Sequence, residues 1–203
     1  MDKRIVTIDT DGNGFEHALE ITDSFGKNAG LSDKEALRLH LLGEELIGLM
    51  RGTVGGIKAD YSVECEGRSF ILSLEGDVKL DAKIQKELLE AATDGKNNAA
   101  STFTGMIKVM IGNLTLPGTL GHTFVSGLSM GLISMGSPTA GLESNAGTEA
   151  YMWSMEKYMD SANGNEDRDI KDTFERSIVA NIADDVKVSI VKPHVLIEIY
   201  KAF

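Results

Sequence analysis

The stretch Leu31 to Arg51, LSDKEALRLHLLGEELIGLMR, constrains this chain more than any other. It opens on Ser32-x-x-Glu35, a capping box in which each side chain satisfies an orphan backbone N–H at a helix start. From there the residues advance by about 100° each. Leu41, Leu42, Leu46 and Leu49 bracket an arc that contains Glu45, while Glu44 falls toward His40 and Arg51 on the polar flank. A carboxylate set into an apolar arc must find a partner, ionise with difficulty, or face a site. Glu45 is therefore the first candidate functional group.

The flanking pattern supplies the rest of a fold. Ile5 to Ile8 reads as a short strand, and Asp9, Asp11, Gly12, Asn13 and Gly14 as a turn cluster. The run has the flavour of a calcium loop. It lacks the glutamate that such a loop needs at its twelfth position and follows a strand, so a turn with a helix cap is the preferred reading. Phe15 to Ala29 is a helix with Gly30 as its stop, and the helix from Ser32 runs to about Thr53, ended by Gly55-Gly56. Ala59, Tyr61, Val63 and Cys65 alternate with polar residues, Gly67-Arg68 turns the chain, and Phe70, Leu72 and Leu74 return it.

Asp81 to Ala92 reads as a short helix, Thr93 to Asn98 as a break, and Ala99 to Ile111 as a further helix. Leu114 to Gly147 changes composition to Gly, Ser, Met and Leu, and opens an insertion at about 114–165 in an otherwise single domain. Gly127-x-x-x-Gly131 lies in it, but small polar residues, His122 and the lack of a basic flank argue against a membrane span. Methionine-rich apolar surface suits an adaptable partner face. Tyr151 to Met159, around Trp153, reads as an amphipathic helix, either core or partner face. Asn163 to Asp169 is a charged linker, and Ile170 to Ala183 a last helix. Val186, Val188 and Ile190, then Val195, Ile197 and Ile199, make a closing hairpin turned at Lys192-Pro193-His194. Paired strands with helices between them predict an α+β fold, an antiparallel-rich sheet covered by helices on one face.

Composition narrows the function classes. A net charge of −11 over 203 residues argues against a phosphate-backbone binder and against an electrostatic anchor on anionic lipid, so neither nucleic acid nor membrane is an expected partner. Cys65 is the only cysteine, which excludes an internal disulfide and a multi-cysteine zinc site. It reads as a small hydrophobe in a strand. His17, His40, His122 and His194 are scattered, without metal-ligand spacing, and no metal is expected. The N-terminus lacks the apolar core of a signal peptide, so a cytoplasmic location is the expectation. No Gly-x-Ser-x-Gly elbow and no Walker-type loop is present.

The order of elements resembles the GHKL ATPase superfamily, which includes histidine kinase catalytic domains. Phe15 to Leu49 is similar to the anti-sigma-factor serine kinases, with a helix, a Gly-Leu-Ser-type link, and a second helix carrying Glu-x-x-x-Asn. The resemblance implies a two-layer α/β sandwich with a mixed, antiparallel-rich sheet. It places Glu45 on the family's activating glutamate and Leu49 where the family has its magnesium-binding asparagine; with Glu44 in the acid's place, Gly48 would stand there. Leucine and glycine side chains offer magnesium no oxygen. For the family's adenine-reading Asp-x-Gly-x-Gly, this chain has Leu74-Glu75-Gly76-Asp77-Val78, with Asp77 as the adenine contact or Gly76-Asp77 as a plain turn. Gly95, Lys96, Asn97 and Asn98 stand where the flexible lid would hold phosphate, or form a cap and turn. The resemblance thus implies ATP or ADP as ligand and a sigma-factor or anti-anti-sigma-like protein partner; the missing magnesium ligand and glycine pattern point to weak or absent catalysis, and a homodimer is a further partner to expect. The alternative is a non-catalytic interaction module on the same fold, binding through 114–159.

Overall fold

The structure, a computed structural model, describes residues 2–50, 58–77, 107, 143–144, 150–163, 177–191 and 193–203. Strand β1 (Asp2–Asp9) leads into helices α1 (Phe15–Asn28) and α2 (Asp33–Gly48), then into the hairpin β2 (Lys58–Glu66) and β3 (Ser69–Asp77). Next come β4 (Glu143–Ser144), β5 (Ala150–Ser154), α3 (Met155–Asn163), α4 (Ile178–Ile182), β6 (Asp185–Val191) and β7 (His194–Ala202). The strands form one seven-stranded sheet in the order β1-β2-β3-β7-β6-β5-β4.

The expected α+β plan holds, but every described strand pair is antiparallel rather than mixed. The β1–β2 pair shows why. Two helices separate these strands: α1 carries the chain back and α2 returns it, so β2 enters from the far end. A single crossover helix would have made the neighbours parallel.

Local chemistry sets the element boundaries. The Asp9 carboxylate accepts from the backbone N–H groups of Asp11 and Asn13, both at 3.0 Å, and from Asn13 Nδ2 at 2.7 Å. The turn cluster is thus closed by its own aspartate. Gly14 follows with φ +81°, and a Cβ there would meet the Thr7 carbonyl oxygen at 2.5 Å, so only glycine fits. At the other end of α1, Leu31 N–H bonds the Gly26 carbonyl and Gly30 N–H that of Lys27, both at 3.1 Å, with Gly30 left-handed at φ +68°. This is a Schellman stop. Between β2 and β3, Gly67 takes φ +63° at the first turn position of a two-residue hairpin, as expected.

One sheet face carries the core. Tyr61 stands opposite Leu74 and Val63 opposite Leu72, and those pair onward with Ile197 and Ile199. Val186, Val188 and Ile190 continue the apolar layer, all buried. Helix α1 packs over β1 and β2, and α2 over β3 and β7. At the junction of the layers the buried Tyr61 hydroxyl lies 2.7 Å from Thr22 Oγ1, which also donates to the Ala18 carbonyl at 2.9 Å. Gly43 of α2 passes directly above: a Cβ there would sit 3.0 Å from the Tyr61 hydroxyl and 3.5 Å from Thr22 Oγ1.

Three expectations are corrected. Residues 151–159 are not one helix. Ala150–Ser154 is a strand paired with β6, with Trp153 opposite Val188 and fully buried. The helix starts only at Met155, where the Lys157 N–H reaches Ser154 Oγ at 3.4 Å and the Glu156 N–H reaches the Asp185 carboxylate at 3.1 Å. The last helix does not run unbroken from Ile170: Ser177 is extended, and its hydroxyl caps α4 by accepting from the Ala180 N–H at 3.2 Å. Helix α2 ends at Gly48, short of Thr53. It closes with tightened turns in which the Leu49 and Met50 N–H groups bond the carbonyls three residues back.

The Gly55-Gly56 stop, the helix of 81–92, the break at 93–98, most of 99–111 and of 114–147, and 164–176 lie outside the described residues; Ile107 is helical and buried. No helix among the described residues is long and apolar enough to cross a membrane.

Gly43→Ala and Tyr61→Phe test the layer junction. Tyr61→Phe alone should cost about 1 kcal/mol, the net worth of a buried hydrogen bond. Gly43→Ala should be measurably better tolerated in the Tyr61→Phe background than in the wild type, because the hydroxyl it would crowd is gone. Urea unfolding of the four proteins reads the coupling; strictly additive losses would contradict the contact.

Candidate functional site

Glu45 depends on how α2 is anchored, and that begins at its first turn. Glu35 Oε2 accepts the Ser32 N–H at 2.8 Å, the return bond of a capping box, and also the Ser32 hydroxyl at 2.7 Å. Its other oxygen accepts from Arg68 at 2.7 Å. Arg68 also donates to the Gly30 carbonyl at 3.3 Å and the Phe203 carbonyl at 3.2 Å. One guanidinium therefore ties the β2–β3 turn to the α1–α2 link and to the residue after β7. The two Ser32 bonds, with the Arg68 charge added to them, bring the Glu35 carboxyl down to about 2.

The helix then buries Leu39, Leu42, Gly43, Leu46 and Ile47. Glu45 is half-buried and stands beside that arc, not in its middle; Leu41 and Leu49 are half-buried as well. Gly43 is the position that meets Leu19 and Thr22 of α1. Two residues on, at about 100° each, Glu45 looks away from α1. Glu44 keeps the expected neighbour, with His40 Nε2 at 3.8 Å, and His40 Nδ1 lies 2.8 Å from Asp23 of α1.

Asp77 lies on the other side of the sheet. Leu72 and Leu74 face the helices, and strand alternation puts Gly76 on that same face and Glu75 and Asp77 on the opposite one. Gly76 is packed close: a Cβ there would meet the Lys58 carbonyl at 2.9 Å. Asp77 Oδ1 is 3.1 Å from His194 Nδ1, and Glu75 Oε1 is 2.9 Å from His194 Nε2. The bond to Asp77 raises the His194 pKa most; partial burial opposes the rise, and Glu75 adds to it.

The described residues therefore do not bring Glu45 and Asp77 together, because the sheet lies between them. Gly95, Lys96, Asn97 and Asn98 are outside the described residues. Leu49 offers no oxygen to magnesium, and Asp77 is turned away from the helical layer, so these two positions do not fit the metal and the adenine that the resemblance implies. No group of three or more His, Cys, Asp or Glu that could hold a metal ion occurs among the described residues. Cys65 is half-buried, and burial pushes its thiol pKa up, which makes it a poor nucleophile.

Nothing in the residues around His194 or Arg68 marks either as a linchpin. Both owe their role to strand and loop neighbours far away in the chain. The one local signal was Ser154 followed by Glu156, a helix start inside what reads as a single helix. No family profile, no curated protein and no solved structure matches this chain.

The capping network predicts an acid response. Because the Glu35 pKa is lowered from 4.5 to about 2 on folding, its contribution is present above pH 4.5 and is lost as pH falls toward 2. The wild type should therefore lose melting temperature more steeply than Glu35→Gln across that window. Parallel profiles from thermal melts would remove Glu35 from the account.

Proposed function

We propose that this chain is a regulatory protein of GHKL-like architecture that acts by binding and not by turnover. The observation that carries the reading is the layer plan. A strand and two helices precede a hairpin, and a closing hairpin places β7 directly against β3, with α1 and α2 across one face. The order of strand, two helices, hairpin and closing hairpin is the one the resemblance to anti-sigma-factor kinases leads one to expect, on a sheet that is antiparallel throughout rather than mixed. The side chains argue for lost chemistry on this frame: Leu49 stands at the metal position, and Asp77 is engaged by His194 on the far face. The ligand in this reading is a protein, of sigma-factor or anti-anti-sigma-like type. It would be met in part through 150–159, where Met152 and Met159 are 51% and 39% exposed on either side of the buried Trp153.

Adenine-nucleotide binding without hydrolysis is the second reading. It is favoured by Glu45, which keeps a half-buried place on α2. In that reading Gly95 to Asn98 would take the phosphates.

Phosphate release from ATP with magnesium should stay at the buffer level, and Glu45→Gln should leave it there. Turnover that Glu45→Gln abolishes would overturn the non-catalytic reading. Melting with excess ADP separates the two readings: a ligand present at about a hundred times its Kd adds about 2.7 kcal/mol of stability. A magnesium-independent rise in Tm would carry the second reading, and an unchanged Tm would reject it.

A further inference from the structure

We propose that His194, Glu75 and Asp77 form a pH-released clasp that locks the end of β3 to the start of β7. The argument is one of proton count. A neutral imidazole has one N–H donor and one acceptor nitrogen, and an ionised carboxylate only accepts. Both ring nitrogens of His194 face carboxylate oxygens, Nδ1 at 3.1 Å from Asp77 and Nε2 at 2.9 Å from Glu75. Both bonds form together only if both nitrogens carry a proton, so the geometry calls for the imidazolium. Loss of one proton turns one of the two bonds into a contact between lone pairs and opens that arm.

The surroundings give the ring no other partner of opposite charge among the described residues. On β6, Val191 stands opposite His194. On β3 the facing groups are Glu75 and Asp77 themselves. One strand further, Asp60 of β2 is paired opposite Glu75, and Lys58 is paired with Asp9 of β1. The side chains of His194, Glu75 and Asp77 are 44%, 53% and 57% exposed, so the ring can exchange its proton with water at once. The position matters because Asp77 is the last residue of β3: the clasp holds that end of the strand against the first residue of β7. This inference does not rest on the regulatory reading above.

The sign of the effect follows from the direction of the shift. A histidine held charged in the fold contributes stability that is complete below its ordinary value of 6.5 and is lost as pH rises through the raised one. The test is NMR titration of the His194 ring carbon-bound protons in the full chain. The midpoint should lie above 6.5 and fall back toward it in Glu75→Gln, in Asp77→Asn, and furthest in the double variant. These are exposed positions, where amide replacement keeps the fold. In parallel, Tm from pH 6 to 9 should decline more for the wild type than for His194→Gln. A wild-type midpoint at or below 6.5, a midpoint unmoved by the double variant, or identical Tm slopes would each overturn the clasp.

Discussion

The hydroxyl of Tyr61 is the contact on which the two layers depend. It is buried, and a phenol in that setting must find a hydrogen-bond partner or forfeit its hydration. The partner is Thr22 Oγ1, itself tied to the Ala18 carbonyl one turn back. Burial raises the phenol pKa well above its ordinary value, so the proton stays in place to make the bond. Apolar packing alone lets a helix slide and rotate on a sheet, because the hydrophobic effect has no direction. A directed bond between α1 and β2 removes that freedom. Gly43 then lets α2 close over the same point, since any side chain there would meet the hydroxyl. Helix register, helix spacing and sheet position are all fixed within one small volume.

The periphery is held by a different kind of contact. Arg68, reaching Glu35, Gly30 and Phe203, gathers three loops with one side chain. At the other side Asp185 ties the start of β6 to the β5–α3 junction, accepting from Ser154 Oγ at 3.2 Å and from the N–H groups of Glu156 and of its own neighbour Val186. Exposed ion pairs are worth about 0–1 kcal/mol each, far less than burying the aromatic and aliphatic side chains beneath them. Their contribution is to geometry: they decide where turns end and helices start, after the core has decided that the chain folds.

That division explains what the sequence disclosed. Helices α1 and α2, the β2–β3 hairpin and the β6–β7 hairpin were legible because their signals are local: a capping box, period-two alternation, a glycine at a positive φ. Residues 151–159 were not legible, because YMWSMEKYM satisfies helical spacing as well as it satisfies a strand followed by a cap. The decision is made by β6, which lies more than thirty residues on and offers Val188 opposite Trp153. The placement of Glu45 was half legible. Its helix was plain, but four leucines around an acid do not say which of them the sheet selects. The sheet takes Leu42 and Leu46, adds Leu39 and Ile47, and leaves Leu41 and Leu49 half-exposed. The acid is moved from the middle of the buried face to its flank.

Asp77 shows how little separates a site residue from a surface one on a strand. Side chains alternate with a period of two, so one step along β3 moves a group from one face of the sheet to the other. The pairing of β3 with β7 runs without interruption from Ser69–Ala202 to Asp77–His194, which leaves no bulge to reset the phase. The position facing the helices at the strand's end is therefore Gly76, packed so tightly on Lys58 and Ala59 that it cannot carry a side chain. A carboxylate one residue later has nothing to meet on the helical side. It meets what β7 brings to the opposite face, and that is a histidine. The same register that makes the sheet continuous thus decides that this acid serves the far face of the sheet, at the end of two central strands, and not the side covered by α2.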